Sequence, residues 1–146
     1  MKITLTGIAV LTLLSQVVAQ SEYPVSDIPV ALKSRADAVV RQETIVADML
    51  APTKVRYEVK QAITVFNKEG EDKARLVIYY NKQTVIKRIS GRVFDAGGFQ
   101  IGKFTQRDFK DESAVNNFSL YEDTRVKHFL PAVTAYPYTV EYAYEL

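Results

Sequence analysis

Cysteine and tryptophan are both absent from the 146 residues, and histidine occurs once. Without cysteine there is no disulfide framework, no thiolate nucleophile and no thiolate metal cluster. The single histidine, His128, stands between Lys127 and Phe129 with no nucleophile or orienting carboxylate at a characteristic spacing, and reads as a surface residue. Glycine is sparse, and Gly97, Gly98 and Gly102 are not followed by Gly-Lys-Ser/Thr; their context is strand to strand, whereas phosphate loops open a helix. A dominant charge is lacking as well: nineteen Lys and Arg against seventeen Asp and Glu, interspersed, leave +2. That balance excludes nucleic-acid binding driven by bulk charge.

The one long uncharged stretch comes first. Residues 1–19 combine Lys2, an apolar run from Ile8 to Leu14 and the small residues Val17-Val18-Ala19, the layout of a cleaved export signal. Cleavage is expected before Gln20. A retained membrane anchor is the rival, since nothing between Ile3 and Ser21 is charged, but Thr4, Thr6, Gly7, Thr12, Ser15 and Gln16 dilute its apolarity. Membrane attachment would then come only through an uncleaved leader. The mature chain is expected outside the cytoplasm, where an unpaired thiol would be a liability.

Past the leader, Ser26-Asp27-Ile28-Pro29 offers a capping residue and a proline, so one or two helical turns are expected over residues 29–36. Val39 to Val46 is rich in β-branched residues and polar on both sides, as in an edge or half-exposed strand. After the break at Ala51-Pro52-Thr53, Val55, Tyr57, Val59, Ile63 and Val65 alternate with Arg56, Glu58, Lys60 and Thr64, which places them on opposite faces of one strand. Asn67 to Asp72 reads as a polar turn, and Ala74 to Tyr80 as a central strand completing a hairpin. A second hairpin runs from Val85–Phe94 through Asp95-Ala96-Gly97-Gly98 to Phe99–Phe104. Thr105 and Asp108 predict a capped helical turn followed by irregular chain, then a strand near Thr124 to Phe129 and a loop between Pro131 and Pro137. Tyr138, Val140, Tyr142, Tyr144 and Leu146 alternate with polar residues to the end.

Short strands, polar turns and little helix predict an all-β, mainly antiparallel, β-sandwich-like fold with one or two short helical turns, each sheet burying one face against the other. An open barrel is the runner-up. Parallel α/β is excluded by the lack of crossover helices. No repeat or linker divides residues 20–146, so one domain is expected. A final strand ending without a charged tail is expected both to be the buried last strand of that domain and to mark the front part of a longer protein.

No constellation identifies a reaction. Asp108, Asp111, Glu112, Glu122 and Asp123 concentrate acid, but Arg107, Lys110 and Arg125 interrupt them and the spacing lacks the ligands and glycine of a calcium loop. They read as a solvated, ion-paired surface. Lys82, Lys87, Arg88, Arg92 and Lys103 read as a basic stripe wetting one sheet face, and most aromatics as core or cross-strand pairs. No cofactor and no metal is expected.

Four runs carry a family likeness: Tyr23 to Pro29, Phe109 to Ala114, Ser119 to Lys127, and Tyr136 to Tyr142. They resemble the domain of unknown function found at the front of exported bacterial proteins whose following domain is transglutaminase-like. The resemblance implies a β-rich accessory domain in the envelope or periplasm of a Gram-negative bacterium. It also implies a downstream cysteine–histidine–aspartate domain in the same polypeptide as the seat of chemistry. No catalytic residue carries over to residues 20–146.

Two functions follow as expectations. The first is a noncatalytic module that packs on its catalytic neighbour or recognises a peptide or glycan, with Asp108, Tyr121, Asp123, Arg125 and Lys127 as the interaction surface on loops of a rigid scaffold. Turn formation and ion pairing are the plainer roles for the same residues. The alternative is an independent envelope hydrolase using Asp108, Asp111 or Asp123.

Overall fold

β-Branched and alternating residues on both sides of Ala51-Pro52-Thr53 close the longest hairpin of the computed structural model, β1 (Ala38–Ala51) against β2 (Lys54–Val65). The structure describes residues 21–114 and 123–146; the predicted leader and cleavage position lie outside them, as does Tyr121. Beyond that hairpin come β3 (Leu76–Tyr80), β4 (Arg88–Phe94), β5 (Gln100–Thr105), β6 (Lys110–Ser113), β7 (Arg125–Phe129) and β8 (Tyr138–Glu145). Every pairing is antiparallel. Five strands form one sheet in the order β1-β2-β8-β4-β5, and three form another in the order β3-β7-β6. Their facing surfaces enclose the core, where Ile63, Val65, Leu76, Ile78, Ile89, Val93, Phe104, Phe109, Tyr138, Val140 and Tyr142 are buried. The all-β, sandwich-like expectation holds.

The last strand is buried because it is central. β8 has β2 on one edge and β4 on the other, so both rows of its backbone groups are paired and its Tyr138, Val140 and Tyr142 point into the core. The two hairpins β1–β2 and β4–β5 flank it, and Gly98, at φ 83°, supplies the left-handed turn of the second.

Four expectations need correction. β2 does not form a hairpin with β3: residues Lys68–Ala74 wind into a 3-10 turn in which the amide of Gly70, a buried residue, donates to the Asn67 side chain at 3.1 Å. The turn carries the chain from one sheet to the other. β3 is consequently an edge strand rather than a central one, with Val77 and Tyr79 exposed on its outer face. Ser26 caps nothing; the helical turn α1 (Val30–Lys33) starts after Pro29, and the Ser26 hydroxyl turns to Asp27. Residues 110–113 are a strand, not irregular chain, because β7 supplies a partner for their otherwise exposed backbone.

The N-terminal segment straps the outer face of the larger sheet. The Glu22 amide donates to Gly98 O at 2.8 Å and the Val25 amide to Ala96 O at 3.0 Å, while Arg41 reaches the carbonyls of Tyr23 and Pro24. Tyr23 adopts φ 58°, a left-handed conformation uncommon for a non-glycine residue. That turn lays its ring edge-on to Phe94, with centroids 5.6 Å apart.

Candidate functional site

Alternation on β7 puts Arg125 and Lys127 on one face, and the strand register brings them distant partners: Asp111 of β6 lies opposite Lys127, and Tyr80 of β3 opposite Arg125. The other three side chains meet on the Asp111 carboxylate. It accepts from Lys127 Nζ at 2.7 Å, Arg125 Nε at 2.9 Å and the Tyr80 hydroxyl at 2.7 Å. Chiefly the Lys127 hydrogen bond, with those of Tyr80 and Arg125, holds the Asp111 pKa down at about 2. Such a carboxylate is an anion throughout the physiological range and its lone pairs are committed, so it is a structural clasp rather than a proton donor.

Beside the clasp is an open hollow of about 450 Å³, bounded by Tyr80, Lys82, Val85, Ser113, Asp123 and Arg125. Of the surface expected from sequence, Asp123 and Arg125 line this hollow, and Lys127 joins Arg125 in the clasp. Asp123 faces Lys82 at 3.6 Å. Asp108 does not join them: its carboxylate accepts from the Thr105 amide at 2.7 Å and closes the capping box of the 3-10 turn Gln106–Asp108. His128 projects to the opposite face of the small sheet, 3.4 Å from Glu112.

A second constellation escaped the sequence reading. Glu141 of β8 is 6% exposed, on the outer face of the larger sheet, and accepts from Arg92 Nη2 at 2.7 Å, Tyr23 Oη at 2.7 Å and Lys60 Nζ at 3.0 Å. Arg92 also grips Glu22 with both terminal nitrogens, at 2.6 and 2.8 Å. Burial alone would raise the Glu141 pKa; the bonds from Tyr23, Arg92 and Lys60 outweigh it, and the net shift is downward. Arg92, read from sequence as one of a stripe of wetted cations, is the centre of this network. Nothing local distinguishes Glu141 from Glu145 four positions on; only the strap and β4 do.

The third feature is the β1–β2 hairpin beyond the sandwich. Pairing of Ile45 with Val59, Ala47 with Tyr57 and Met49 with Val55 aligns these six on the face that, further along the same strands, is the core side. There Ile45 is 63% and Met49 76% exposed. The other face carries Asp48, Arg56, Glu58 and Lys60, with Arg56 bridging Asp48 at 2.6 Å and Glu58 at 3.3 Å. Leu146 exchanges both backbone hydrogen bonds with Tyr57, at 2.9 and 3.0 Å, at the rim of a hollow of about 520 Å³ that Leu50, Val55 and Val85 also line.

Among the described residues, no group of three or more His, Cys, Asp or Glu side chains is arranged to hold a metal ion. No helix among them is long and apolar enough to cross a membrane.

Residues 51–146 match the family model described as a domain of unknown function with a solved structure, DUF3857. The chain belongs to that family, in agreement with the resemblance read from its motifs. Among solved structures, the fold is similar to that of a candidate protease from Parabacteroides distasonis, with a TM-score of 0.59 and 13% identity over 75% of this chain. The chain spans only 22% of that protein's length. The search of curated proteins finds no match.

Proposed function

We propose that residues 20–146 form a noncatalytic accessory domain of an exported, periplasmic or envelope protein, serving a transglutaminase-like domain in the same polypeptide by packing on it or by presenting a peptide or glycan. The observation that carries this reading is the commitment of the carboxylates. Asp108 is spent on a backbone cap, Asp111 on three donors and Asp123 on Lys82, so the three acids named for a hydrolase serve separate structural partners instead of sharing one reacting centre. Family membership supports it, as does the small share of a longer chain that the same fold occupies in the solved relative.

The test is turnover by the purified chain on peptide, amide and glycoside panels. No turnover is expected. A hydrolytic activity that disappears when Asp108, Asp111 and Asp123 are replaced by Ala would overturn the reading in favour of an independent hydrolase. Export is tested by N-terminal sequencing of the periplasmic form, with Gln20 as the expected first residue.

A further inference from the structure

The hairpin arm has a face with no partner. Sheet faces normally divide into one packed and one wet side, and the arm obeys this division in its residues but not in its surroundings. On its charged side Arg56 is ion-paired with Asp48 and Glu58. Its uncharged side, made of Ile45, Ala47, Met49, Val55, Tyr57 and Val59, continues the core face of the sandwich into solvent. Exposed apolar surface of this contiguity marks an interaction site; the six residues themselves are uncharged, with Glu43 at the sandwich end of the face, so the partner patch they fit is apolar at its centre.

We infer that this face docks the domain that follows in the same polypeptide, an inference that rests on the accessory reading above. Geometry favours that occupant over others. Leu146 is fixed to Tyr57 by two backbone hydrogen bonds, so a chain continuing past it leaves from the arm itself, beside the hollow lined by Leu50, Val55 and Val85. A short tether from this point would give a following domain a high effective concentration at this face. The solved relative, in which this fold makes up 22% of the chain, has the length to supply such a domain. The exposed Val77 and Tyr79 on the outer face of the small sheet form a smaller apolar area, and the chain end does not lie on it.

The experiment is hydrogen–deuterium exchange on the protein expressed from its complete reading frame, compared with the 146-residue chain and with the full-length double variant Ile45→Glu, Met49→Glu. The expected result is exchange of the amides over residues 44–57 at least tenfold slower in the longer protein, with that protection lost in the double variant. Protection appearing only elsewhere, for example over residues 76–80, would overturn this docking site while leaving the accessory reading intact. No protection anywhere would overturn the docking site together with the packing form of the accessory reading, leaving only presentation of a peptide or glycan. A reading frame ending at Leu146, or an arm buried by concentration-dependent dimers of the chain, would overturn the docking proposal in favour of a free arm or a second copy.

Discussion

The Glu141 carboxylate lies against the Arg92 guanidinium, with Oε1 accepting from Nε at 3.0 Å and from Nη2 at 2.7 Å, across the central pair of strands β8 and β4. Replacing Glu141 by Ala would take the carboxylate from Lys60, leave Arg92 to Glu22 and leave the Tyr23 hydroxyl to Gln42. Breaking a fully buried pair costs about 3–5 kcal/mol, and because Arg92 reaches solvent the expected loss is about 2–3 kcal/mol. Urea unfolding of the wild type and Glu141→Ala at neutral pH measures it. A loss under about 0.5 kcal/mol, the usual range for a surface substitution, would remove the network from the stability account.

Acid should loosen the clasp at Asp111. Its folded-state pKa, about 2, lies below the unfolded carboxylate's, so the contribution is fully present above about pH 4 and is lost as pH falls towards 2. Side chains here remain partly solvated, which limits the effect to about 1 kcal/mol or less. Asp111→Asn should therefore show a flatter dependence of the thermal midpoint on pH between 4 and 2 than the wild type. Parallel curves would show that the three donors do not stabilise the folded state.

Gly70 permits the sheet-to-sheet crossover. A Cβ built there would stand 2.1 Å from the Asp37 backbone carbonyl oxygen, and backbone cannot swing aside as a side chain can. Gly70→Ala should destabilise by about 1–3 kcal/mol, the range for forced overpacking. Chemical denaturation reads the difference, and a neutral result would mean that the turn over residues 68–74 rearranges freely.

Tyr138 carries a hydroxyl with no hydrogen-bond partner among the described residues, although the side chain is 1% exposed. Burial, with Glu71 nearby, pushes its pKa up to about 12. Removing an unsatisfied buried group relieves desolvation, so Tyr138→Phe should be neutral or stabilising by up to about 1 kcal/mol. A clear destabilisation would reveal a partner for that oxygen.

The arm residues make the opposite prediction for the 146-residue chain. Met49 is 76% exposed, so Met49→Lys should change its unfolding free energy by no more than about 0.5 kcal/mol. Solubility should rise, measured by light scattering on concentration. A larger loss of stability would mean that the arm packs on its own domain.

Local pattern carried the strands whose two faces differ. The alternation from Val55 to Val65 and from Tyr138 to Leu146 matches the observed core and outer faces, because period-two polarity is written residue by residue. The β4–β5 reversal and the Thr105–Asp108 cap were legible for the same reason, as each is completed within a few residues. Residues 110–113 were not: Lys110, Asp111, Glu112 and Ser113 are all exposed and have no apolar alternation, and only β7 makes them a strand.

What the sequence determined by itself is an antiparallel β chain without cysteine chemistry, and its family. Tertiary structure alone decided which sheet each strand joined, since pairing of β2 with β1 rather than β3 rests on contacts such as Gly70 against Asp37, 33 positions apart. It alone also joined Tyr80 to Asp111, set Glu141 under Tyr23 and left Ile45 and Met49 uncovered. The physical reason is range: side-chain alternation is a property of neighbours, whereas partnership and burial depend on which distant segment arrives at the same place.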